Sequence, residues 1–291
     1  MMFTKTSVAF LFLVSSALAQ GRIDCNALQS KILDRAIHYC VLLPDSYDKN
    51  ANEKYPILYF LHGLGDNEQT LINTGAWDIV ENLRREHKIG DFLIVSPQGN
   101  HSFYVNSADG EFRYGDFFLK EFMPLIERKY RVAPGRRNRG ITGMSMGGYG
   151  ALRFAFAYPQ LFGSVSAQSA ALTTESRQEI NEELTSGSPV GEVFGDVFGD
   201  PISASYWAAN NPFALARRNI AALKTTAIYL NCGNADNYGF EKGAAALDHE
   251  LTREGIKHEY HLYPGTHSLP YFLSHIGETF EFHSRIFEAA R

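Results

Sequence analysis

Chemistry could start at the pentapeptide Gly143-Met144-Ser145-Met146-Gly147. A serine hydroxyl is a poor nucleophile at neutral pH, so it needs a base to take its proton and an acid to orient that base. Gly-x-Ser-x-Gly is a weak signal by itself, and its setting gives it weight. A strand pattern over 139–142 runs into it and a helix pattern over 149–157 runs out. A sharp strand-to-helix turn exposes the serine hydroxyl, and glycines leave room for the tight passage.

Where such a turn supplies the nucleophile, the acid and then the histidine follow it along the chain. The apolar run 226–230 reads as a strand, and Asn231-Cys232-Gly233-Asn234-Ala235-Asp236 follows it. Asp236 is therefore the candidate acid. Asp248 is the rival, but it falls inside a helix pattern where it would face water. The run 257–263 reads as the last strand, and Pro264-Gly265-Thr266-His267-Ser268 follows, making His267 the candidate base. His258 and His261 lie in a strand pattern, and His275 and His283 in a helix pattern, where structural roles are expected.

Acyl transfer also needs two backbone N–H groups aimed at the developing oxyanion. The residue after the nucleophile, Met146, would supply one. The loop Leu61-His62-Gly63-Leu64-Gly65-Asp66, directly after an apolar strand pattern, would supply the other from Leu64. His62 is expected to brace that loop, since a second base is not required.

The elements that must position these groups are legible as a rhythm. Apolar runs at 56–61, 92–95, 139–143, 163–167, 226–230 and 257–263 suit strands buried on both faces, hence a parallel sheet. Helix patterns fall between them: Trp77, Val80 and Leu83; Phe118, Phe122, Leu125 and Ile126 behind a cap at Asp116; and Ala244, Leu247 and Leu251 ended by Gly255. Pro124 should kink the second of these. Strand–helix alternation implies one α/β domain over 20–291 with helices on both faces of the sheet, extended by an N-terminal antiparallel hairpin that turns near Leu33-Asp34. The stretch 171–215 breaks the rhythm. It reads as a cap-like insertion over the site, or else as a surface excursion.

Residues 1–19 read as a signal peptide: Lys5, an apolar run 8–14 and Ala17-Leu18-Ala19 before the cut. The apolar run is too short to span a bilayer, so a secreted or periplasmic chain without a stable membrane anchor is expected. The formal charge is −5, and removal of 1–19 would leave −6. With only the short run Arg136-Arg137-Asn138-Arg139 as a basic cluster, nucleic acid binding has little support. Export makes a disulfide possible, and Cys25 and Cys40 would sit opposite each other on the hairpin; three reduced buried thiols, Cys232 included, is the other reading. No metal-ligand spacing or cofactor motif occurs, so no cofactor is expected.

The loop 61–66, the segment Gly143-Met144-Ser145-Met146-Gly147-Gly148-Tyr149-Gly150-Ala151 and the Gly265-Thr266-His267 loop together resemble the putative esterase (esterase D-like) family of α/β-hydrolases. The resemblance covers roughly 30–290 and is closest to secreted feruloyl and acetyl-xylan esterases. It implies the α/β-hydrolase fold, a Ser145–Asp236–His267 triad, and the Leu64 and Met146 amides as oxyanion donors. The segment Ser102-Phe103-Tyr104-Val105-Asn106 also resembles the family, which implies substrate contacts at Tyr104 and Asn106. The expected activity is hydrolysis of carboxylic esters, with feruloyl or acetyl esters of carbohydrates as substrates, through an acyl-serine. The same triad could instead pass the acyl group to a sugar or lipid hydroxyl. A non-catalytic carbohydrate-binding protein would usually lack a triad member.

Overall fold

The computed structural model describes residues 21–173 and 189–290, and the side chains of 189–192 are not among those described. The expected signal segment and part of the expected cap therefore lie outside the described residues. Eight strands form one sheet: β1 (Arg22–Ser30), β2 (Arg35–Leu43), β3 (Ile57–Leu61), β4 (Leu93–Pro97), β5 (Arg139–Met144), β6 (Ser164–Gln168), β7 (Ala227–Gly233) and β8 (Glu259–Tyr263). Their order across the sheet is β1-β2-β4-β3-β5-β6-β7-β8. Among the described residues, only the β1–β2 and β2–β4 pairings are antiparallel.

The period-two alternation of strand side chains divides the core in two. In β3, Ile57, Tyr59 and Leu61 face one apolar cluster, while Leu58 and Phe60 face the other. Helix α1 (Ala76–Arg85) lays Trp77, Val80 and Leu83 on the second face, and the C-terminal helix Leu269–Glu288 adds Phe272, Ile276 and Phe280. The first face is covered by α2 (Met123–Lys129), α3 (Met146–Ala157) and the segments α4 (Pro189–Phe198), α5 (Ala204–Asn210) and α6 (Pro212–Arg218). Helix α7 (Phe240–Arg253) completes that layer, and the C-terminal helix becomes α8.

One local expectation needs correction. Asp116 is not an N-cap: it lies in the first turn of the short helix Tyr114–Phe117 and pairs with Arg113 and Lys120. Pro124 lies inside the expected helical run, and the π-helical turn at Phe118–Phe122 directly before it is the kind of local departure at which helices bend. Cys25 and Cys40 are register partners in the hairpin and form a disulfide; Cys232 is a buried thiol.

Within 171–215, the described residues form three helices on the main core, with Phe194, Phe198, Trp207 and Phe213 buried in it. Phe103 packs against both Phe194 and Phe198.

One buried polar device ties the C-terminal helix to the sheet. His283 is fully buried. Its ring bridges Ser164 Oγ (2.8 Å from Nδ1) and Ser166 Oγ (2.9 Å from Nε2), and Ser166 Oγ donates to Thr142 Oγ1. Ser166 has thereby used its proton, so Nε2–H donates to it and Nδ1 accepts from Ser164. Burial pushes the His283 imidazole down to about 3. A histidine lowered on folding contributes stability that is fully present above its unfolded value near 6.5, and that is lost as pH falls toward 3. Unfolding free energy should therefore drop on acidification from pH 7 to 4, with His283 adding about 1.4 kcal/mol per pH unit at most. Denaturant unfolding of His283→Gln beside the wild type should show a shallower slope for the variant. Equal slopes would remove His283 as a source of the dependence.

Candidate active site

The β5-to-α3 turn forces Ser145 into a left-handed backbone (φ 54°, ψ −121°) that a β-carbon disfavours. Hydrogen bonds on both sides hold it there. Ser145 N donates to Gln168 O at 3.0 Å, and Ser145 O accepts from Tyr149 N and Ala171 N. The glycine after the next residue is set by contact: a Cβ on Gly147 would lie 1.9 Å from Leu61 O. Helix α3 can thus start directly against the end of β3, and Met146 becomes its first residue, with an N–H that no intrahelical carbonyl reaches.

The loops after β7 and β8 bring the other two groups to this turn. His267 Nε2 lies 2.9 Å from Ser145 Oγ, and His267 Nδ1 lies 2.7 Å from Asp236 Oδ2. A carboxylate only accepts, so Nδ1 carries the proton and Nε2 is left to accept from the serine. The Asp236 side chain is fully buried; its Oδ1 accepts from Tyr238 N at 2.9 Å, and Cys232 Sγ approaches Oδ2 at 3.8 Å. Asn237 Oδ1 accepts from His267 N at 3.1 Å, so adjacent residues hold the histidine by its ring and by its backbone. Three rings meet the imidazole edge-on: Tyr238, Phe240 and Phe272. The rival Asp248 is occupied elsewhere, 2.8 Å from His258 Nε2.

Leu64 stands on a turn closed by Asp66 N to Gly63 O, with Gly65 at φ 83°. No backbone acceptor for the Leu64 or Met146 N–H occurs among the described residues. His62 braces this loop from beneath. Its Nε2 accepts from Gly99 N at 2.7 Å and its Nδ1 donates to Gly63 O at 2.8 Å. Burial lowers the imidazole to about 4, which keeps Nε2 free to accept.

Ser145, His267, Leu64 and Met146 line one cavity of about 150 Å³, together with Phe103, Phe194, Tyr238 and Phe240. Tyr104 and Asn106 do not reach it. Tyr104 is fully buried and its hydroxyl donates to His62 O at 3.0 Å. Asn106 Oδ1 accepts from Asp116 N at 2.9 Å. Both support the site from outside, and the residue of that segment that lines the cavity is Phe103. The backbone explains the exchange: Phe103 and Tyr104 are consecutive left-handed residues (φ 48° and 60°), a twist that no local pattern announces.

A larger cleft of about 440 Å³ lies next to this one. It is lined by chain neighbours of the first cavity's wall: Gly65 and Asp66 beside Leu64, Ser102 beside Phe103, Asp196 and Val197 near Phe194. Burial raises the Asp66 carboxyl above its usual range, partly offset by a hydrogen bond from Gly63.

The strand order and the strand–turn–helix serine site define an α/β-hydrolase fold. The chain belongs to the family described as "Putative esterase", whose model matches residues 30–282. It is 28% identical to an esterase of Mycobacterium tuberculosis over 246 residues, 78% of this chain and 51% of that one. Over 130 residues, 42% of this chain and 18% of the other, it is 32% identical to an endo-1,4-beta-xylanase/feruloyl esterase of Xylanibacter ruminicola. The chain thus spans about half the length of the mycobacterial relative. A solved ferulic acid esterase superposes with a TM-score of 0.79 at 25% identity, covering 92% of this chain and 99% of that one.

The contact at Gly147 leads to a contrast between two glycines. Gly147→Ala should cost several kcal/mol, since its Cβ meets a backbone oxygen that cannot move aside. Gly277→Ala in α8 has its nearest neighbour at 3.6 Å and should be neutral or stabilise by up to about 1 kcal/mol. Thermal melts of the two variants check this; similar melting shifts would contradict the packing account.

Proposed function

We propose that the protein is a serine carboxylesterase working through an acyl-Ser145 intermediate. The observation that carries this reading is the unbroken chain Ser145 Oγ–His267–Asp236, at 2.9 and 2.7 Å, beside two backbone N–H groups open to a ligand. His267 Nε2 takes the serine proton as Oγ attacks the ester carbonyl. The carbonyl oxygen becomes an oxyanion held by the Leu64 and Met146 amides; the N-terminal end of α3 adds its favourable dipole. His267, now protonated and steadied by Asp236, gives the proton to the departing alcohol. Water then repeats the sequence against the acyl-enzyme and frees the acid.

The acyl group lies against Phe103 and Phe194. An acetyl group fits within the 150 Å³ cavity, and a longer feruloyl group would extend past Leu64 into the larger cleft. Acetyl or feruloyl esters of carbohydrates are the proposed substrates. Support comes from the relative named as a feruloyl esterase and from an acetyl esterase of Caldicellulosiruptor saccharolyticus that is 34% identical over 149 residues. Export through removal of residues 1–19 is part of the proposal, and it predicts a mature chain beginning at Gln20, read by N-terminal sequencing.

Release of p-nitrophenol from p-nitrophenyl acetate should be seen with the wild type and lost in Ser145→Ala. Asp236→Asn should stay folded but lose about 10³- to 10⁴-fold in kcat, because the imidazole is left in the wrong tautomer. Wild-type turnover in Ser145→Ala would end the proposal.

A further inference from the structure

The reaction fixes where the alcohol half of the ester must sit. Its oxygen takes a proton from His267 Nε2, so the alcohol lies beside the imidazole. Three aromatic rings surround that imidazole, with centroids at 5.0 Å (Tyr238), 5.2 Å (Phe272) and 5.4 Å (Phe240). Phe240 and Phe272 are buried, 7% exposed each. Tyr238 is 57% exposed and still lines the cavity that holds Ser145.

Its placement is not that of a loose surface side chain. One face of the ring stacks on Phe240, 5.4 Å away and 23° from parallel. Its backbone N–H is bonded to Asp236 Oδ1, which fixes the root of the side chain to the acid that orients the base. The result is a flat, anchored aromatic surface, open to water, at the mouth of the catalytic cleft. Leu64, 37% exposed, lines the same cavity. An aromatic ring held this way, covered on one side and wet on the other, suits an amphipathic partner. Such a partner presents a face of C–H groups to the ring and keeps its hydroxyls in solvent. A pyranose has that shape. A lipid alcohol does not, because an open platform would leave most of its chain in water.

We infer that Tyr238 is a specificity-determining residue for the leaving group, and that it selects esters of sugar hydroxyls by stacking on the sugar ring. The inference rests on the serine-esterase reading and names the residue that would recognise the sugar of the proposed carbohydrate esters. It assigns no chemical step to Tyr238: the proton still passes between His267 and the sugar oxygen.

The test holds the acyl group constant and changes the alcohol. For an acetylated methyl xylopyranoside and for ethyl acetate, kcat/KM is measured in the wild type, Tyr238→Ala and Tyr238→Phe. The readout is the ratio of the sugar ester to the ethyl ester. Tyr238→Ala should lower that ratio about five- to tenfold, mainly through KM for the sugar ester, and Tyr238→Phe should keep it because the ring remains. An unchanged ratio in Tyr238→Ala would overturn the inference, as would equal losses on both esters, which would make the ring a support for His267 alone. Failure of the esterase reading is distinguishable: the wild type would then hydrolyse neither ester.

Discussion

A single backbone conformation governs this site. Ser145 is held at φ 54° and ψ −121°, and hydrogen bonds to Gln168, Tyr149 and Ala171 keep the chain there. Residues in such sparsely populated regions cost of order 1–3 kcal/mol and persist where their surroundings over-determine them. Here the surroundings are the centre of the sheet. Strand β5 lies between β3 and β6, and the start of α3 presses so closely on Leu61 that only hydrogen fits at Gly147. That same contact joins the serine turn to the loop that carries Leu64. Ser145 and the proposed oxyanion donors are therefore parts of one packed unit.

His267 and Asp236, the proposed base and acid, are joined in a different way. They come from two adjacent parallel strands, β7 and β8, whose loops are stitched by the backbone and by asparagines. Asn234 N bonds to Tyr263 O, Ala235 N to Gly265 O, and Asn237 Oδ1 to His267 N. The Asp236–His267 pair is thus fixed by the sheet register and needs little from its own side chains. A displacement of His267 relative to Ser145 would have to break this ladder, and proximity of the reacting groups is worth much of a barrier.

The parts of this arrangement that follow from chain order and strong local pattern were legible in the sequence. The parallel sheet shows as apolar runs. The serine turn shows as a glycine-flanked serine between a strand and a helix. Asp236 and His267 each fall on a loop directly after a strand. What the sequence did not reveal depends on backbone twist and burial. Phe103 and Tyr104 are neighbours with opposite fates: one lines the cavity and the other braces His62, because two successive left-handed residues redirect them. Asn106 was equally unreadable, since its amide turns back to Asp116 N. Pro124 announced a local break in its helix, but the form of that break, a π-helical turn over Phe118–Phe122, carries no sequence pattern of its own. Tyr238 carries no motif, and its importance comes from the exposure of one ring beside a base whose other ring contacts are buried.

The central claim is that Ser145 is made nucleophilic by His267 and Asp236. The most direct measurement is covalent titration with diethyl p-nitrophenyl phosphate, followed by intact mass and peptide mapping. The account predicts one diethylphosphoryl group per chain, placed on Ser145, and labelling that is much slower in Asp236→Asn. No adduct on folded protein, a label on another residue, or an equal rate in Asp236→Asn would contradict it.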